Sequence, residues 1–132
     1  MATLKRFEDL DCWKVSLKLC NKVGELIDSG SFEKHFRLIG QIEGSSGSIM
    51  DNIAEGFERS SKIEFINSLT IAKGEAGELK SQLYRGLDNN YFSKELFETL
   101  YNLVDEITKM ITSLILYLNK SKTKGQKFKD RV

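Results

Sequence analysis

The chain has 132 residues, with 20 basic and 19 acidic side chains, a formal net charge of +1 and no proline. This length predicts one domain whose core is large enough to fold without covalent or metal cross-links. Cys12 and Cys20 would lie about 12 Å apart along one helix, which excludes a disulfide bond between them and fits a reducing cytoplasm. No signal peptide is expected from the first residues, and the longest apolar run, residues 114–118, is too short to cross a membrane.

Apolar residues recur at steps of three and four in four segments, which is the pattern of amphipathic helices. In chain order, the segments cover residues 10–27, 39–57, 65–83 and 96–117. No segment alternates apolar and polar residues for long enough to predict a strand. The lack of proline also fits long, uninterrupted helices.

The segments between the predicted helices are short and rich in residues that favour turns or start helices. Residues 28–36 contain a glycine and two serines, and Ser61 and Glu64 have the spacing of a capping box. Asn89–Asn90 favours a turn, and Ser93 is a candidate N-cap. Short connections make successive helices antiparallel neighbours, so the sequence predicts an all-α protein, an antiparallel up-down-up-down four-helix bundle.

The bundle is expected over residues 1–119, followed by a basic and flexible tail over residues 120–132. The tail has six basic residues and one acidic residue, a net charge of +5, so the rest of the chain carries −4. Such a cluster predicts salt-dependent contacts with nucleic-acid phosphates, or else a solvated end that aids solubility. The candidate nucleic-acid contacts are Lys120, Lys122, Lys124, Lys127, Lys129 and Arg131.

Two rows of glycine occur at helical spacing, and we call them the glycine rows: Gly40, Gly44 and Gly47 on the second predicted helix, and Gly74 and Gly77 on the third. Each glycine inside a helix costs about 1 kcal/mol relative to alanine. Close packing of helices, within the chain or between subunits, is the favoured compensation. Room for the side chains of a partner is the alternative.

Asn52 and Glu55 are polar residues on the second predicted helix, beside the apolar positions Ile49 and Ile53. A partly buried amide or carboxylate must be hydrogen-bonded. We therefore expect both to bond a neighbouring helix end or loop, near Arg59 or the start of the third helix. The other interpretation is a solvated helix end.

The fourth predicted helix has a second row of apolar residues beside its main one. Either the core is wide enough to cover both rows, or the second row meets another subunit, because so large an apolar patch is unusual on a monomer. The row consists of Phe97, Val104, Ile111, Ile115 and Leu118.

No pattern in the sequence predicts catalysis. A di-iron bundle needs two Glu-x-x-His motifs, whereas the chain has one histidine, His35, in a predicted loop. Phosphate-binding and nucleophile motifs are absent, and Cys12 and Cys20 fit core positions. We therefore predict no enzymatic activity, no catalytic residue, no cofactor and no metal ion.

The segment SIMDNIAEGFERSSKIEFINSLTIAKGEAGELKSQL, residues 48–83, resembles the four-helix-bundle family known as the rRNA intervening-sequence protein family. Residues 7–13 extend the similarity, which covers nearly the whole chain up to residue 118. The motif positions that carry the resemblance include Gln41, Asn52, Glu55, Gly56, Arg59, Gly74 and Glu78.

The resemblance implies a small bacterial four-helix bundle that assembles into a homo-oligomer, with closed rings of five as the favoured form. A distant branch with the same architecture serves diversity-generating retroelements as an accessory protein that binds a reverse transcriptase and nucleic acid. The sequence departs from the family pattern in two ways: Glu43 and Gly44 stand where basic residues are usual, and Met50 stands where proline is favoured. The first departure weakens the case for nucleic-acid binding by the helices themselves.

The function predicted on these grounds is that of a non-enzymatic accessory or scaffold for RNA or DNA, together with a protein such as a reverse transcriptase. The alternative is a protein–protein interaction module without nucleic-acid binding. No membrane partner is expected.

Overall fold

Four long helices make up the domain, as the sequence predicts. The computed structural model describes residues 4–121, without the side chains of residues 31 and 32. A single 3-10 turn, Phe7–Asp9, precedes the first helix, and no strand occurs within the described residues. The helices are α1 Asp11–Leu26, α2 Phe36–Glu58, α3 Lys62–Asp88 and α4 Lys94–Lys120.

The helices form a closed square in which each one packs against its two neighbours. α2 contacts α1 and α3, and α4 contacts α3 and α1. This is the predicted antiparallel up-down-up-down topology. One continuous apolar core runs along the centre, and its fully buried large side chains include Leu19, Ile42, Ile53, Phe57, Phe65, Leu69, Leu83 and Leu100.

Serine side chains start α3 and α4, as predicted. The Ser61 hydroxyl accepts a hydrogen bond from the Glu64 amide at 3.3 Å, and the Ser93 hydroxyl accepts one from the Leu96 amide at 3.1 Å. Each bond satisfies one of the amides that a helix start leaves without an intrahelical partner. The connections they close are short, so the helices they join lie side by side.

The connection between α1 and α2 is more helical than the sequence indicates. A wide helical turn, Ile27–Ser31, continues α1, and one further turn, Phe32–Lys34, precedes α2. The break falls at Gly30, whose φ of 91° lies in the left-handed region that glycine enters without a steric penalty. His35 then starts α2 without a side-chain cap.

The second apolar row of α4 belongs to the core. Phe97 is 9% exposed, while Val104, Ile111 and Leu118 are fully buried, and Ile115 packs against the core from its edge. α4 needs two apolar rows because it packs against both α1 and α3. The interpretation of this row as a subunit contact is therefore wrong.

Candidate functional site

The glycine rows face open space. A Cβ atom added at any of the five glycines would meet no other atom within 4 Å. Close packing of α2 and α3 through these rows within the chain is therefore wrong, because the two helices meet along a neighbouring side. What remains of the prediction is a contact with a second molecule.

Two other glycines are the ones that bring elements of the chain together. A Cβ added at Gly56 on α2 would overlap the Ser68 side chain of α3, and one added at Gly86 would overlap the Phe92 ring. Gly56 belongs to the motif that carries the family resemblance, so its role is the close approach of α2 to α3. In sequence, Gly56 had no feature that separated it from the open glycines.

A polar groove of about 540 Å³ runs between the exposed sides of α2 and α3, and we call it the α2–α3 groove. Two hydrogen bonds cross it: Ser45 Oγ donates to Glu78 Oε1 at 3.1 Å, and Arg85 Nη2 donates to Gln41 Oε1 at 2.8 Å. Gln82 lines the groove and is only 5% exposed. Its Oε1 is buried and accepts no hydrogen bond from the described part of the chain.

The polar motif residues near the end of α2 behave in two ways. Asn52 Nδ2 donates to the Ser48 carbonyl of its own helix at 2.9 Å, so the expected bond to a neighbouring element is wrong. Glu55 does reach Arg59, at 3.9 Å between Oε2 and Nη2, and Arg59 in turn meets Glu64 at the start of α3 at 3.4 Å. Because these side chains are about half exposed or more, the pairs add little stability. They link the end of α2 to the start of α3.

The first residue of the basic tail, Lys120, is the exposed last residue of α4. Lys62 Nζ donates to the Ser121 carbonyl at 2.7 Å, so Ser121, the last described residue, lies beside the start of α3. The other predicted nucleic-acid contacts lie outside the described residues: Lys122, Lys124, Lys127, Lys129 and Arg131.

At the opposite end of the bundle, a pocket of about 340 Å³ lies where α2 begins and α3 ends. We call it the end pocket. It is lined by the cations Lys34, Arg37 and Arg85 and by the His35 and Tyr91 rings. The two rings stack with centroids 3.7 Å apart and planes 8° from parallel. Sequence reasoning missed this pocket because its residues come from two distant segments, although the close spacing of Lys34, His35 and Arg37 was a visible signal.

The two cysteines are poor nucleophiles. Burial raises the pKa of Cys12 to about 12. Burial is also the largest cause of the raised pKa of Cys20, whose Sγ donates to the Ser46 carbonyl at 3.4 Å. A thiol is reactive as its thiolate, so both remain protonated and inert near neutral pH.

Within residues 4–121, no group of three or more histidine, cysteine or acidic side chains is arranged to hold a metal ion.

Among the described residues, no helix combines the length and the apolar character needed to span a membrane.

Comparison with known proteins agrees with this architecture. The family model described as "23S rRNA-intervening sequence protein" matches residues 8–113. Among solved structures, a Bacteroides thetaiotaomicron protein of unknown function from the S23 ribosomal protein family is 31% identical to this chain. The match covers 80% of this chain and 95% of that one, with a TM-score of 0.74. No curated protein matches the sequence. The resemblance seen in residues 48–83 is thus confirmed, and the chain belongs to the 23S rRNA-intervening sequence protein family.

Proposed function

We propose that this protein is a non-enzymatic, homo-oligomeric helical bundle that accompanies nucleic acid as an accessory or scaffold. The observation that carries the proposal is the cluster of six cations over residues 120–132. The bond from Lys62 to the Ser121 carbonyl places the point from which five of them follow beside the start of α3. Copies joined in a closed ring would release their tails at one face. Their combined charge would then attract a polyanion far more strongly than one tail does.

The open glycine rows support the oligomer. Five interior glycines cost on the order of 5 kcal/mol, and nothing in the described chain offsets this, because no atom approaches them. A helix of a second copy laid along α2 and α3 would cover the rows. A ring of five, which the resemblance implies, uses two different faces of each subunit.

Light scattering tests the assembly. The unchanged protein should have a mass several times that of the 15.1 kDa chain, with five chains expected. Gly44→Leu and Gly77→Leu place a large side chain on the open rows and should reduce the mass to that of one chain. Asn102→Leu, at an exposed position of α4, is the matched control and should leave the mass unchanged. A single-chain mass for the unchanged protein at micromolar concentration would refute the oligomer.

The family description supports nucleic acid as the partner, since its members are named for sequences that interrupt 23S rRNA. The tail provides the chemistry, because lysine and arginine side chains displace counterions from phosphates. Phe128 among them offers a ring on which a base can stack.

Gel-shift titration with single-stranded RNA and DNA tests this part of the proposal. The full chain should bind at low salt, and its affinity should fall steeply as salt rises, with a logarithmic slope of about −0.7 per phosphate contacted. A chain that ends at Ser121 keeps Lys120, the cap of α4 and the bond to Lys62, so it isolates the effect of the five cations that follow. It should bind at least ten-fold more weakly by this relation. Equal binding by both forms, or none by the full chain at low salt, would contradict the proposal.

A protein–protein interaction module is the second candidate, and exposed apolar side chains on α3 favour it. Ile63, at the start of α3, is 70% exposed, and Ile71, one turn before Gly74, is 53% exposed. In this case a specific protein, such as a reverse transcriptase, would bind the ring directly. A complex that survives nuclease treatment and is lost in Ile63→Ser/Ile71→Ser, together with no gel shift, would favour this function over the first.

A further inference from the structure

The end pocket is lined by cationic side chains that form no ion pair within the described residues. Lys34, Arg37 and Arg85 line it, and no carboxylate is among its lining residues. Within residues 4–121, none of the three cations has a carboxylate oxygen within 4.0 Å, although seven such ion pairs form elsewhere. All three side chains are exposed to solvent, and an anion bound among them would be attracted by all three.

The start of α2 adds to the excess of positive charge at the end pocket. The positive end of a helix dipole favours acidic residues in the first turn, yet the first turn of α2 contains none and has Arg37 instead. His35 gives no side-chain cap, so the first amides of α2 lack the partner that serines supply to α3 and α4. These amides belong to residues 36–38, which line the pocket. The positive end of α2 therefore lies at the same pocket as the three cations.

The remaining walls fit a phosphate attached to a flat group. Gln41 accepts from one Nη of Arg85 at 2.8 Å and holds the guanidinium at the pocket wall, while the other donors of this planar group stay available for phosphate oxygens. The stacked His35 and Tyr91 rings form a flat surface, with both rings partly exposed. A base or sugar can lie against such a surface while cations bind its phosphate.

We propose that the end pocket binds the phosphate group of a nucleotide, either free or as one unit of a nucleic-acid chain. The pocket lies where α4 begins, and the basic tail leaves where α4 ends. These points are about 40 Å apart along a helix of 27 residues. The pocket therefore lies at the opposite end of α4 from Ser121, the last described residue. The inference goes beyond the proposed function, because a free nucleotide would satisfy it.

Amide NMR spectra of the full chain test the inference, because the affected residues identify the site even when the tail also binds. The probes are inorganic phosphate, adenosine monophosphate and a single-stranded oligonucleotide, each compared with sodium chloride at equal ionic strength. Phosphate and the nucleotide should shift the amide signals of residues 34–38 and 91. Tighter binding of the oligonucleotide at these residues would identify a nucleic-acid chain as the source of the phosphate, and equal binding would identify the free nucleotide.

Lys34→Gln/Arg37→Gln removes two charges and should weaken nucleotide binding about ten-fold or more, as expected for the loss of charge-assisted hydrogen bonds. Lys18→Gln/Lys73→Gln removes the same charge from exposed positions of α1 and α3 and should bind normally. If the first variant fails to fold, Arg85→Gln serves in its place. Equal shifts with chloride, or equal affinity of the pocket variant and the control, would overturn the inference. A gel shift that depends only on the tail, without shifts at residues 34–38, would overturn it and leave the proposed function standing.

Discussion

Helices α2 and α3 use glycine in two opposite ways. At Gly56, the missing side chain lets α3 approach until Ser68 fills the space. At the five positions of the glycine rows, the same residue type leaves the helix surface bare. The cost of glycine is offset inside the chain at Gly56, whereas no contact within the described chain offsets it in the glycine rows. Glycine spacing alone therefore does not separate a close contact within the chain from an open helix surface.

The largest expected effect on stability is at Gly56, where α2 and α3 approach closely. Gly56→Ala would place a methyl group against the Ser68 Cβ, which is fixed to the backbone of α3, so the two helices must separate. Overpacking of this kind costs about 1–3 kcal/mol, and we expect the free energy of unfolding to fall by about 2 kcal/mol in urea titration.

Ser68→Gly in the Gly56→Ala background supplies the control. It removes the atoms that the new methyl group meets, so the double variant should be more stable than the sum of the two single changes predicts, by about 1 kcal/mol. Strict additivity of the two changes would show that the close approach at Gly56 is not what the glycine provides.

Alanine in the glycine rows should raise the stability of the chain, in contrast to alanine at position 56. Gly74→Ala/Gly77→Ala adds two methyl groups where no atom of the chain lies within 4 Å. At concentrations where subunits are dissociated, the free energy of unfolding should rise by about 1–2 kcal/mol through helix propensity alone. The same variant should dissociate at higher protein concentration than the unchanged chain, measured by sedimentation. A loss of stability in the dissociated chain would mean that the row packs within the subunit.

The fold was predictable because its determinants are local. Apolar spacing defined the four helices, and serine hydroxyls marked two of their starts. Short connections then left one simple topology. The break at Gly30 was also located, although the helical turns around it were not, since a glycine marks where a helix bends without showing how the chain continues.

The candidate surfaces were less predictable because they depend on which side of a helix faces a neighbour. Asn52 satisfies its amide on its own helix, a local option that competes with any tertiary partner. The second row of α4 is buried because that helix has two neighbours. The end pocket joins Lys34 to Arg85 across about fifty positions of sequence, and periodicity within one helix contains no information about such a pair.

The smallest expected effect on stability is at the contact between α3 and α4, where polar side chains connect the two helices. Lys80 Nζ donates to Asp105 Oδ1 at 2.9 Å, and Lys109 lies 3.2 Å from Asp105 Oδ2. The hydrogen bond from Lys80, followed by that from Lys109, lowers the pKa of Asp105 below its ordinary value. The carboxylate therefore contributes stability above the pKa of an unfolded aspartate, about 3.9, and this contribution is lost as the pH falls through the lower folded pKa.

Asp105→Asn should accordingly flatten the acid side of the stability curve when urea midpoints are measured between pH 7 and pH 2.5. Glu98→Gln, an exposed position on the same helix, is the matched control for a lost carboxylate and should follow the unchanged protein more closely. Because the pair is at the surface, 0.5 M salt should reduce the difference between Asp105→Asn and the unchanged chain. If Asp105→Asn and Glu98→Gln show the same dependence of the urea midpoint on pH, the polar contacts of Asp105 add nothing to stability. The contact between α3 and α4 would then be stabilised by apolar side chains alone.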